Sequence, residues 1–78
     1  MATRFEQGGN IVQNSNYDYS TISDLLADDF FREQLSLNGD EGAQREVDGT
    51  WVTVGNNYEV QPGDHIVFNR KTGDKGQN

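Results

Sequence analysis

The residue best suited to chemistry in this sequence is His65, which follows Asp64 at the end of a Pro62-Gly63 turn. An imidazole beside a carboxylate can act as acid, base or ligand, but each role needs further partners. The chain has no cysteine and no second histidine. Neither a zinc site of His and Cys nor a Cys–His pair can therefore be assembled within it. Ser20, Ser23 and Ser36 stand in no nucleophile context. Asp28 and Asp29 are adjacent in sequence, which does not aim both carboxylates at one substrate. Gly8-Gly9 is followed by neither the Lys-Ser/Thr nor the helix of a phosphate loop. The acidic stretch at Asp40-Glu41 lacks the later bidentate Glu of a calcium loop. His65 reads as a solvated residue beside a turn, and the chain as a non-enzyme without cofactor or metal.

The elements that would position these residues must fit into 78 residues, enough for one small domain. The apolar fraction is 32% and the formal net charge −7, a balance that leans toward disorder unless the apolar residues cluster. They do cluster: Phe30, Phe31, Trp51, Tyr58 and Phe68 join Leu, Ile and Val positions in short runs. The acidity argues against direct binding to nucleic acid, which needs grouped Lys and Arg. The late cations Arg70, Lys71 and Lys75 are too few for that. Met1 to Gly9 lacks a signal peptide's apolar region, and no run approaches the roughly 18 apolar residues of a membrane span. A soluble cytoplasmic protein is the expectation.

Taken in order, Arg4-Phe-Glu-Gln7 and Ile11-Val-Gln13 read as two strands joined through Gly8-Gly9-Asn10, with Tyr17-Asp-Tyr19 as an extension of the second. Thr21 is an N-cap, with Asp24 three residues on completing a capping box. Ile22, Leu25, Leu26 and Phe30 then follow helical spacing and form a buried stripe. Asp28-Asp29 offers an alternative: a cap for a second short helical turn carrying Phe30 and Phe31. Gln34 to Gly39 alternates and reads as a strand burying Leu35 and Leu37. Asp40 to Glu46 reads as a polar loop, and Val47-Asp48-Gly49 as a turn. Thr50 to Val54 is strongly β-prone, with Val52 and Val54 on one face and Trp51 and Thr53 on the other. Gln61-Pro62-Gly63-Asp64 has the signature of a type II turn, leading into a last strand that turns Ile66 and Phe68 inward and Val67 to the opposite face.

One main helix against a mixed sheet of four to five strands is an α+β domain. A hairpin before the helix and a strand after it make a β-grasp the expected topology, with the last strand parallel to the first. Residues 1–70 would form this domain and 71–78 a flexible tail.

Thr21-Ile-Ser-Asp-Leu-Leu26, Leu35-Ser-Leu-Asn-Gly39 and Gly63-Asp64-His65-Ile66 occur in the order found in ubiquitin-like β-grasp proteins. Over roughly residues 20–70 the chain resembles the small sulfur carriers of thiamine and molybdopterin synthesis. The resemblance implies a tail that an adenylating enzyme activates at a terminal Gly-Gly. Here the chain departs from the pattern, ending Gly73-Asp-Lys-Gly76-Gln-Asn78, so Gly73 and Gly76 are the tail positions in question.

Three functions follow as expectations. The first is a noncatalytic ubiquitin-like module binding a protein partner through Trp51 and Thr53, provided that Trp51 points outward and does not pack under the 40–46 loop. The second is a sulfur carrier or protein modifier acting through its C-terminus with an adenylating enzyme. The third is an acidic mimic of nucleic acid, which requires Asp24, Asp28, Asp29, Glu33, Asp40 and Glu41 to form one stripe.

Overall fold

The computed structural model describes residues 2–69. They form an α+β domain with a mixed five-stranded sheet and two short helices on one of its faces. Arg70 and the tail positions Lys71, Gly73, Lys75 and Gly76 lie outside the described residues.

The first hairpin pairs β1 (Arg4–Gln7) with β2 (Asn10–Gln13), setting Phe5 opposite Val12. Gly8 and Gly9 both adopt positive φ, +54° and +99°, which this two-residue connection requires. The second strand stops at Gln13. Asn14 ends it by accepting a hydrogen bond from the Asn16 N–H at 2.8 Å, which starts a 3-10 turn over Ser15–Tyr17 in place of the expected strand extension.

Helix α1 (Ile22–Ala27) begins at the capping box read from sequence: Asp24 N–H donates to Thr21 Oγ1 at 3.1 Å, and Asp24 Oδ2 accepts from the Thr21 N–H. The helical segment is not continuous. Asp28 closes α1 and caps α2 (Asp29–Leu35), accepting the Phe31 N–H at 2.9 Å. That break sends Phe31 into the core, fully buried, and leaves Phe30 67% exposed. Phe30 is therefore not part of the buried stripe, and in place of one main helix there are two, divided at Asp28 as in the alternative reading.

Leu35 ends α2, Ser36 takes a left-handed conformation, and the Leu37 N–H returns to the Arg32 carbonyl at 2.9 Å. Leu35 and Leu37 are buried as expected, but at a helix end and just past its cap rather than on a strand. The strand lies in the stretch expected to be a loop: β3 (Gly42–Val47) pairs with β4 (Thr50–Val54) through Asp48-Gly49, both at positive φ.

The Gln61–Asp64 turn forms as expected, with Gly63 at φ +85° and the Asp64 N–H donating to the Gln61 carbonyl at 3.0 Å. It leads into β5 (His65–Asn69), the central strand of the order β2-β1-β5-β3-β4. β5 runs parallel to β1 and antiparallel to β3. Ile66 and Phe68 join the helices in the core, while Val67 points to the opposite face, where it too is buried. At the centre of the core, Phe31 meets Phe5, Tyr17 and Phe68 edge to face, with centroids 5.1, 4.9 and 5.7 Å away. Such pairs add about 0.5–1.5 kcal/mol each beyond the area they bury.

Candidate functional site: the open face of the sheet

The strand registers place two cross-strand rows on the face opposite the helices. One runs Arg4, His65, Glu46, Trp51 across β1, β5, β3 and β4. The other runs Ile11, Glu6, Val67, Gln44, Thr53 across all five strands. Residues facing each other in register on one side of a sheet touch, so each row is a contact surface.

His65 lies at the middle of the first row. Its Nε2 contacts Glu6 Oε2, and its Nδ1 lies 3.3 Å from Glu46 Oε1. The other oxygen of Glu6 takes the Arg4 guanidinium at 3.3 Å. Trp51 is half-buried and meets the His65 ring edge-on, centroids 5.1 Å apart at 74°. His65 is thus a linked member of a polar network across β1, β5 and β3, with Trp51 of β4 beside it, rather than a solvated turn residue. In the second row Gln44 Nε2 donates to Thr53 Oγ1 at 3.5 Å, and Asn69 Nδ2 to Gln44 Oε1 at 3.5 Å.

Trp51 and Thr53, the residues singled out from sequence, share this face. Packing of Trp51 under a 40–46 loop does not occur, because that segment is β3. Sequence reasoning missed Arg4, Glu6 and Glu46. Their strands show polar residues at alternate positions, but only the parallel register of β1 on β5 reveals that these residues meet His65.

A second polar cluster supports the turn that feeds β5. Asp64 Oδ2 accepts the Tyr58 hydroxyl at 2.5 Å and the Gln61 N–H at 2.9 Å. The Arg45 guanidinium lies 5.3 Å above the Tyr58 ring and 3.9 Å from Asp64 Oδ1. Burial, and then the hydrogen bond and charge of Asp64, raise the Tyr58 phenol above its ordinary value. This cluster holds the turn.

Four of the six carboxylates expected to form an acidic stripe, Asp24, Asp28, Asp29 and Glu41, have local partners. Glu41 is buried, its two oxygens accepting the Asn38 and Gly39 N–H groups at 2.8 and 2.9 Å. Asp28 caps α2 and Asp29 pairs with Arg32. Among the described residues, no group of three His, Cys, Asp or Glu side chains can hold a metal ion. No described helix is long and apolar enough to cross a membrane. Comparison with protein-family models, curated proteins and solved structures finds no match to this chain.

Proposed function

We propose that this chain is a ubiquitin-like β-grasp module that binds a protein partner through its open sheet face and performs no catalytic step. The β-grasp reading is supported by a hairpin, a helical segment and a last strand parallel to the first. The binding reading rests on Trp51. An aromatic side chain is half-buried at the end of a charged row, beside exposed Thr53, on the face that the helices leave uncovered. Tryptophan within such a rim of polar groups is the residue type that most often anchors protein interfaces.

Site-specific photo-crosslinking tests the face directly. A photoreactive residue at Thr53 is expected to give a discrete heterologous adduct in the source cells, and one at Phe30 on the helix side is not. Trp51→Ala should remove the adduct while the circular dichroism stays native. Affinity for the crosslinked partner should fall at least about 30-fold, the effect of losing a hot-spot side chain. Equal crosslinking from both faces, or an adduct indifferent to Trp51, overturns the assignment.

A further inference from the structure

We propose that His65 is a protonation switch on the open face, tying Glu6 to Glu46 across β5 when its ring carries two protons and releasing Glu46 when it carries one. Both ring nitrogens face carboxylate oxygens, Nε2 toward Glu6 and Nδ1 toward Glu46 at 3.3 Å. An ionised carboxylate only accepts, and a neutral imidazole has a single N–H, so one nitrogen then presents a lone pair. Only the imidazolium satisfies both contacts at once.

The surrounding charges decide which contact is lost. Among the described residues, Glu6 and Arg4 come from β1, Glu46 from β3, and the uncharged Trp51 from β4. On its own side, the carboxylate of neighbouring Asp64 is turned toward Tyr58 and Arg45. Glu6 is shielded, its side chain 20% exposed, and keeps the Arg4 guanidinium whatever the state of the ring. Glu46 is 42% exposed, and His65 is the cationic partner it meets. The neutral ring therefore keeps its N–H for Glu6, and Glu46 turns to water.

Trp51 reads the change. It stands in register with Glu46 and edge-on to His65, so it senses both the ring's charge and the departure of the carboxylate. The switch does not require a partner. If the face docks a protein as proposed above, the same protonation makes that docking depend on pH.

The test is a titration of the intact chain, following the His65 ring by ¹⁵N NMR and its single tryptophan, Trp51, by fluorescence. Histidine ordinarily changes charge between about pH 5 and 8, so the scan covers that window. Both ring nitrogens should be protonated at the acid end, with Trp51 emission changing in one step along with the ring signals. Glu46→Gln should shrink the Trp51 fluorescence step, and His65→Gln should abolish it. A flat Trp51 signal across that window overturns the proposal, as does a step that persists unchanged in His65→Gln. The wild-type measurements decide the matter even if a variant fails to fold.

Discussion

The two faces of the sheet solve different problems. The helix side is built from Phe5, Phe31, Phe68, Ile22, Leu25, Leu35 and Ile66, all nearly or fully buried. The other side buries Val67, Gln44 and Asn69 and is held laterally by hydrogen bonds and ion pairs between strands. Burial of apolar area gives the first face its stability, at roughly 25 cal/mol per Å². The ion pairs of the second are partly exposed, and such pairs contribute about 0–1 kcal/mol each. The helix side therefore carries most of the stability, with Val67 adding to it from the other side.

The contrast is sharpest at the core. Phe68→Ala should cost about 3–5 kcal/mol, a large part of what a small domain has, and denaturant unfolding should show it. A Phe68→Ala protein with unchanged stability would remove β5 from the centre of the core. Glu41→Gln should follow at about 1–3 kcal/mol, because it puts a buried amide where two backbone N–H groups need oxygens.

Glu41 also fixes the direction of an acid effect. Burial pushes its carboxyl up, but backbone N–H groups of Asn38, Gly39, Glu41 and Asp40 together outweigh it, so the group lies below its ordinary 4.5. A carboxylate lowered on folding adds stability that is complete above its ordinary value and vanishes as pH falls through the lowered one. The wild-type advantage over Glu41→Gln in thermal melts should thus be full at neutral pH and shrink on acidification below about pH 5. An advantage that grew in acid would contradict the bonding described here.

On the open face, Trp51→Ala should cost less in unfolding than Phe68→Ala, about 1–3 kcal/mol, because the indole is only partly buried. A loss as large as that of Phe68→Ala would make Trp51 part of the folding core and remove the ground for reading it as an anchor.

What the sequence disclosed depended on the range of the interaction. Thr21 with Asp24, the Asp48-Gly49 and Gln61–Asp64 turns and the Ile66/Phe68 alternation are local signals, and each forms as read. β3 was hidden because it offers the core only Ala43, while Gln44 and Glu46 belong to the open face, so its composition mimics a loop. Leu35 and Leu37 gave a period of two because a left-handed Ser36 lies between them, returning both side chains to the core. The His65 network was illegible for another reason. It joins positions 4, 6, 46 and 65, and no local rule sets the register between them.

Phe30 and Phe31 offer the finest test of the two-faced design, since they are adjacent and chemically identical. A continuous helix from Thr21 keeps Phe30 on the Ile22, Leu25, Leu26 stripe. The cap at Asp28 ends that helix and starts another, which rotates Phe31 inward and Phe30 into solvent. Phe30→Ala should therefore shift stability by no more than about 0.5 kcal/mol, as an exposed site does. Phe31→Ala should lose about 3–5 kcal/mol. Comparable losses at the two positions would mean that Asp28 does not divide the helical segment. Asp28→Ala sharpens the same comparison, because it removes the cap and should cost about 1 kcal/mol. In that background Phe30→Ala should become more costly only if the two helices merge into one.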